Sequence, residues 1–434
     1  MYEALPVPYG LVRFGVAPDH PEVKNVIHKF ASIAEDARFR FVGNVNIGRD
    51  LQFAELKPHY DAIVLSYGAQ EDQHLGIPGE ESIKNVFSAR AFVGWYNGSP
   101  EYRNLNPDLT SSDTAVVVGQ GNVALDVART LLSPVDDIAR TDITSHAVEA
   151  LRKSKIKHVH LIGRRGPLQA AFTAKELREM IALPDTKLNI DLNLVHSQIK
   201  ADAEALAKDR PRRRLMELLI KGATKTFSEE PSKSWTLQFL RSPVELVPHP
   251  ETNALKAVLL EKNTLQGSPQ SPKAVGTGQI EELSTGLLLR SIGYRSVPFR
   301  GVPFDSRKGL IPNVKGRVSD EKDSASGLYV SGWLKRGPTG VITATMYDAI
   351  ETATSIVEDV QAGNLKSQVA SKGSDGFESL KDLLKERGAN PISFKDWESI
   401  DKAEITAGEA KGKPREKIVD VQSMLKIVAA GRAE

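Results

Sequence analysis

Cysteine is absent from all 434 residues. That excludes disulfides, thiolate nucleophiles, cysteine-ligated zinc and protein-held iron–sulfur clusters. Any redox chemistry must then reside in a bound cofactor. Metal-ligand spacing is missing too: the nine histidines include no His-x-x-x-His pattern, so no metal is expected. No apolar stretch approaches the ~20 residues that span a bilayer, and no transmembrane segment is expected. Neither sign of charge dominates, with 57 Lys+Arg against 55 Asp+Glu. The opening Met1-Tyr2-Glu3-Ala4-Leu5-Pro6 is neither a signal peptide nor an Arg/Ser-rich transit segment. The composition that remains, 40% hydrophobic and 26% charged, suits an ordinary soluble globular protein of two or three domains.

One segment stands out. Thr114-Ala115-Val116-Val117-Val118 reads as a buried strand feeding Gly119-Gln120-Gly121-Asn122-Val123-Ala124, which opens the helical pattern Leu125–Leu132. Glycines at 119 and 121 permit a tight turn and bring backbone N–H groups close to a pyrophosphate, to which the helix N-terminus adds partial positive charge. Ala124 stands in the third glycine position and is small enough for helix and strand to pack closely. The next predicted strand, 157–162, ends in Gly163-Arg164-Arg165-Gly166-Pro167. An NAD site places Asp or Glu there for the ribose 2′-OH, whereas two guanidinium groups suit a 2′-phosphate by charge and bidentate geometry. The sequence points to NADP. The arginines lie well beyond the usual spacing of about 20 residues, and residues 133–150, with Pro134, Asp136, Asp137 and Asp142, read as a polar insertion that takes up the excess. The plainer alternative is a turn followed by a solvated basic pair.

The remaining pattern is α/β. Residues 61–66 and 287–292 read as buried strands ending in Ser66-Tyr67-Gly68 and Ser291-Ile292-Gly293. They bracket the nucleotide unit and suggest two nucleotide-binding Rossmann-like domains, with 73–296 inserted into a discontinuous outer domain of 1–72 and 297–434. Within the insert, a helix is expected in 80–98, another over 171–183, a charged helical stretch over 199–226, and antiparallel strands at 235–240 and 257–261. A strand over 327–332 precedes Pro338-Thr339-Gly340 and a helix from about 341 to 360, and the tail from 374 is helical and polar.

Four stretches carry a family resemblance: Leu5–Asn25 (LPVPYGLVRFGVAPDHPEVKN), Phe87–Asn97 (FSARAFVGWYN), Gly163–Gln169 (GRRGPLQ) and Gly332–Thr343 (GWLKRGPTGVIT). In these the chain resembles the adrenodoxin-reductase family of mitochondrial NADPH–ferredoxin reductases, and the similarity runs on to Gly412-Lys-Pro-Arg-Glu-Lys417. The resemblance implies FAD and NADP in adjoining domains, hydride transfer from NADPH to FAD, and single electrons passed to a small acidic [2Fe–2S] ferredoxin. It also implies a monomer on the matrix side, peripherally associated with the inner membrane; the net charge of +2 and the lack of aromatic residues in the basic run Lys208–Arg214 argue against nucleic acid. Members begin with a glycine-rich strand–turn–helix that holds the FAD pyrophosphate. Here Met1 falls where the second strand of that fold ends, so an incomplete N-terminus is expected. The alternative function is a catalytically impaired NADP-binding remnant.

By the same resemblance Glu3, Leu11 and Ile47 line the FAD site, Glu3 by accepting ribose hydroxyls; Leu11 and Ile47 suit a plain core equally well. Trp333 lies beside the flavin or is a core tryptophan. Gly340, Val341 and Ile342 open a helix whose N–H groups and dipole favour negative charge on the reduced ring. Gln120, Gly121, Asn122 and Val123 form the NADP pyrophosphate loop, Arg164 and Arg165 take the 2′-phosphate, and Glu176 contacts the coenzyme. His20 and Asp126 match a catalytic pair suited to relaying a proton. Against that, His20 caps a turn and Asp126 belongs to the first helical turn. In the run Lys208–Arg214, Arg210 and Arg214 match ferredoxin-contact positions, and a basic patch steers an acidic partner.

Overall fold

The computed structural model describes every residue except 269–270, 320–326, 341, 366–375 and 434. Its largest sheet has six parallel strands, in the spatial order Val86–Ser88, Leu287–Arg290, Thr114–Val118, His158–Ile162, Lys233–Gln238 and Thr186–Ile190. Thr114–Val118 lies inside this sheet and reads as a continuous apolar run because both faces are covered; Ala115, Val116 and Val117 are wholly buried. The helices Ala89–Tyr96, Asn122–Leu132, Ala174–Ala182 and Arg210–Ala223 supply apolar stripes to one core around Trp235, Phe92 and Leu125.

A second sheet orders Ile63–Leu65, Leu328–Val330, Arg317–Val318 and Asn313–Val314. Ile63–Leu65 pairs in parallel with Leu328–Val330 and forms the edge of this sheet. The chain passes between the two sheets twice, and the two passages pair with each other: Glu71–Asp72 runs antiparallel to Tyr294–Arg295. A third, antiparallel sheet orders Lys273–Ser284, Leu255–Gln266 and Arg241–Pro248.

Several local expectations need correction. The helix expected within 80–98 is Ala89–Tyr96, with Asn97 at its end; the strand Val86–Ser88 ahead of it was not expected, and the helix begins at Ala89 because the Ser88 hydroxyl accepts from Ala91 N at 3.0 Å. Lys233–Gln238 is not antiparallel; it lies between two parallel neighbours. The polar insertion is structured, with helices Val135–Ala139 and Ser145–Lys153.

That insertion is where the tail docks. Lys413 Nζ donates to Ile143 O at 2.5 Å, Ser145 Oγ donates to Glu416 at 2.6 Å, and Lys417 Nζ lies 2.9 Å from Asp142. Asp142 also accepts from Lys24 at 2.7 Å. Nearby, Arg13 donates to the buried Glu404 at 2.5 Å, and Arg415 reaches Glu404 at 3.0 Å and Asp401 at 2.6 Å. Burial lowers the Lys417 ammonium to about 7 despite Asp142. The Asp142 carboxyl resists burial because Lys417 and Lys24 hold it down to about 2. Residues 142–145 thus bind the motif 412–417 and the N-terminal segment together.

Candidate coenzyme and flavin sites

The turn after Thr114–Val118 is built around Gly119. Its φ is +129°, and a Cβ there would sit 2.1 Å from Ser291 O, so no side chain fits. Gly119 N donates to Ile162 O at 2.8 Å, tying the turn to the adjacent strand. Gly121 caps the helix Asn122–Leu132 and faces open space. Ala124 is fully buried against the sheet, where its methyl group is accommodated. The first N–H groups of this helix lack intrahelical acceptors, and the open space at Gly121 suits the approach of a pyrophosphate.

Side chains of the loop have other work. Gln120 Nε2 donates to Leu161 O and Gln238 O at 3.0 and 3.2 Å, so its side chain is held by the sheet. Asn122 Oδ1 accepts from Thr173 N at 2.8 Å, joining the loop to the helix Ala174–Ala182. Val123 is partly buried beside the core. Glu176, in the first turn of that second helix, accepts from the Thr173 hydroxyl.

Arg164 and Arg165 are exposed and form no ion pair among the described residues. Their backbone is fixed: Asn263 Nδ2 donates to Arg164 O and Leu240 N donates to Arg165 O, each at 3.0 Å. The antiparallel sheet thus anchors the arginine turn and leaves both guanidinium groups free.

A buried polar cluster lies beside the same helix. Arg129 donates to Asp19 at 2.5 Å and to Asp126 at 2.9 Å, and its Nη2 lies 3.2 Å from His20 Nε2. His20 Nε2 is 2.7 Å from Glu179. His20 and Asp126 are therefore joined through Arg129 rather than to each other. Burial raises the Asp126 carboxyl above its ordinary range even against Arg129, whereas for Asp19 the Arg129 hydrogen bond overcomes burial and lowers it. Asp126 is the fifth residue of its helix, beyond the first turn, and the His20 side chain makes no capping bond. The His20 backbone nonetheless closes the turn at the N-cap position of the helix Pro21–Lys24, donating to Ala17 O at 3.1 Å and accepting from Val23 N at 3.2 Å. Glu179 was not among the sequence candidates, since its partner stands 159 positions away.

The chain is 51% identical over 440 residues to the mitochondrial NADPH:adrenodoxin oxidoreductase of Bos taurus, covering 99% of this chain and 86% of that protein. It is 49% identical over 439 residues to the protein of that name from Salvelinus fontinalis, with the same coverage. The chain belongs to the NADPH:adrenodoxin oxidoreductase family. The structure of Mycobacterium tuberculosis FprA in complex with NADPH is similar over 99% of this chain and 92% of that one, with a TM-score of 0.89 at 40% identity. A scan against family models gives no match.

The remaining positions singled out by the family resemblance are scattered around the second sheet. Glu3 N donates to Val42 O at 3.0 Å, and the Glu3 carboxylate accepts from Leu5 N at 3.1 Å. Burial raises this carboxyl above its ordinary range, with the Leu5 hydrogen bond opposing. Ile47 packs on the core of the second sheet, whereas Leu11 is 47% exposed on the short helix Gly10–Phe14 and is not a core residue. Trp333 follows Leu328–Val330 and stacks on Tyr294 with ring centroids 5.3 Å apart. Gly340 has φ +84° and precedes the helix Ile342–Gln361, in which Ile342 is the first residue; Val341 lies outside the described residues. Arg210 and Arg214 are exposed on the helix Arg210–Ala223 and, among the described residues, form no ion pair. By contrast, Arg212 and Arg213 face Asp209 and Glu217 at 3.7 and 3.9 Å. No group of His, Asp and Glu among the described residues is arranged to hold a metal ion.

Proposed function

We propose that this chain is a mitochondrial NADPH–ferredoxin reductase using FAD and NADP, and that it delivers electrons to an acidic [2Fe–2S] ferredoxin. The observation that carries the reading is the side-chain-free turn at Gly119 joined to two unpaired arginines, in a chain that shares half its residues with NADPH:adrenodoxin oxidoreductases. Bound FAD would accept hydride from the nicotinamide and release electrons singly. The protein's share is binding, orientation and electrostatics.

Gly121, Asn122, Val123 and the Gln120 backbone bind the NADP pyrophosphate, Arg164 and Arg165 the 2′-phosphate, and Glu176 the coenzyme edge. On the flavin side Glu3 accepts ribose hydroxyls, Leu11 and Ile47 line the cofactor, and Trp333, Gly340, Val341 and Ile342 meet its ring end. His20 holds an exchangeable proton at Nε2 or Nδ1, in contact with Asp126 through Arg129. Arg210 and Arg214 contact the ferredoxin. The division is 1–72 with 297–434 for FAD and 73–296 for NADP; the paired passages Glu71–Asp72 and Tyr294–Arg295 lie at both proposed junctions. The protein works as a monomer on the matrix side, peripherally on the inner membrane; no described helix is long and apolar enough to cross one.

The residues present fit NADP fully and FAD in part. The edge of Ile63–Leu65 is open, with Val64 43% exposed, and the helix Ile342–Gln361 exposes Met346, Ile350, Val357 and Val360. Among the described residues no glycine-rich strand–turn–helix meets that edge. The alternative reading, an NADP-binding remnant with impaired flavin binding, has no support in the relatives, which are named as oxidoreductases. Purified protein separates the two. A yellow product that reduces cytochrome c only when ferredoxin is present supports the reductase. A colourless product that still binds NADPH overturns it.

A further inference from the structure

Besides the ion pairs of Asp142 with Lys24 and Lys417 and of Arg129 with Asp19, the two bodies are connected at a ribbon two residues wide, Glu71–Asp72 against Tyr294–Arg295. So short a ribbon holds few backbone hydrogen bonds and does not by itself fix an angle. Side chains brace it. Arg90, from the helix Ala89–Tyr96 of the nucleotide sheet, donates to Asp72 at 3.1 Å. Tyr294 reaches the other way. Its ring lies on Trp333 with centroids 5.3 Å apart and planes at 21°, a stacked pair. Trp333 opens the turn 333–336 directly after the innermost strand of the flavin-side sheet, Leu328–Val330. The turn is itself fixed, because Gly332, with φ +72°, donates its N–H to Asp348 at 2.5 Å. Tyr294 thus stands at the seam with a nucleotide-sheet strand behind it and a flavin-side aromatic ring under it. Burial pushes its hydroxyl up to about 12, with the nearby Asp72 carboxylate adding to the effect and Asp126, from the helix after the glycine turn, also contributing.

We propose that Tyr294 is a positioning residue for hydride transfer: by stacking on Trp333 it sets the separation and angle between the NADP-binding and flavin-binding bodies. The inference rests on the reductase reading above. Hydride transfer needs reacting atoms about 3–3.5 Å apart, and a displacement of roughly 1 Å costs on the order of 10²-fold. A ring pair across the seam bears on that spacing and includes none of the residues assigned to the coenzyme phosphates or to the flavin ribose. Its loss acts on the transfer step and leaves coenzyme affinity alone.

Flavin-loaded protein is compared as wild type, Tyr294→Phe, Tyr294→Leu, Trp333→Phe and the Tyr294→Leu/Trp333→Phe double variant. Anaerobic stopped flow gives the rate of flavin reduction at saturating NADPH, titration gives the NADPH Kd, and tryptophan emission reports the stack. Of the four tryptophans, Trp95, Trp235 and Trp397 are buried at 4%, 0% and 4% exposure, so emission changes caused at Tyr294 report Trp333. Tyr294→Phe keeps a ring and is expected to match wild type. Tyr294→Leu is expected to slow flavin reduction about tenfold or more, to leave the Kd within about twofold and to shift the emission. Because the stack is already lost in Tyr294→Leu, the double variant is expected to be about as slow as Tyr294→Leu alone. A wild-type rate in Tyr294→Leu, a Kd that rises in step with the lost rate, or a double variant that adds the full effect overturns the proposal. Wild-type protein that takes up no flavin removes the reductase reading instead. Emission then still decides the stack, and unchanged emission in Tyr294→Leu overturns it.

Discussion

Replacing Asp142 by asparagine keeps the side chain's shape and removes its charge. In the native protein that charge serves two ammonium groups, Lys24 at 2.7 Å and Lys417 at 2.9 Å, whose side chains are 12% and 1% exposed. Breaking one buried pair by deleting a partner costs ~3–5 kcal/mol. The lower end applies here, because burial already brings Lys417 to about 7 and it can shed its proton once Asp142 is neutral. The expected loss is about 3 kcal/mol in urea unfolding at pH 7, with faster proteolysis around residues 412–417. The pH dependence has a definite sign. The folded carboxyl titrates at about 2 against an ordinary 3.8. Its contribution is therefore present above pH 4 and lost as pH falls through about 2, and one pKa unit is ~1.4 kcal/mol, giving roughly 2 kcal/mol in all. Asp142→Asn should lack that part of the acid limb. A loss below about 1 kcal/mol at pH 7, with the tail no more open to protease, would refute the reasoning.

Three further outcomes are expected. Arg164→Ala/Arg165→Ala should weaken NADPH binding roughly 10²-fold in equilibrium titration, since charged hydrogen bonds contribute ~1.5–3 kcal/mol, and should leave NADH affinity unchanged; equal loss for both coenzymes counts against the 2′-phosphate role. Gly119→Ala drives a Cβ into Ser291 O at a φ of +129°, so a destabilisation of about 2 kcal/mol or more is expected in thermal or urea unfolding. Charge reversal at Arg210 and Arg214 should raise the KM for ferredoxin most strongly at low ionic strength, where steering is least screened, with reduction of a small uncharged acceptor unaffected; unchanged ferredoxin turnover at low salt defeats the docking assignment.

The glycine turn was legible because its chemistry is local: strand, glycines and helix follow one another in sequence, and the open space at Gly121 and the crowding at Gly119 agree with their spacing. The arginine pair was legible for the same reason. Lys233–Gln238 was misread because Lys-Ser-Trp-Thr-Leu-Gln alternates polar and apolar residues, the mark of a half-covered antiparallel strand. Its burial does alternate, with Trp235 and Leu237 inward, yet its neighbours are parallel. Thr186–Ile190 escaped notice as a short, polar edge strand. The boundary at Ser88 had a readable signal, an N-cap serine ahead of a helical run. The hub at Arg129 was readable only in its local part, the i,i+3 pair with Asp126; its links to Asp19, His20 and Glu179 form through the tertiary fold.

The Arg13–Glu404 and Lys24–Asp142–Lys417 contacts join positions up to 391 residues apart. Lys24 can meet Asp142 as soon as that residue is made, but the carboxylate that pairs with Arg13 is Glu404, so the ribosome must translate past that position before the first segment can settle fully. A glycine-turn unit that folds during synthesis would therefore hold Lys24 at Asp142 first, with the places of Lys413, Glu416 and Lys417 left open until the tail arrives.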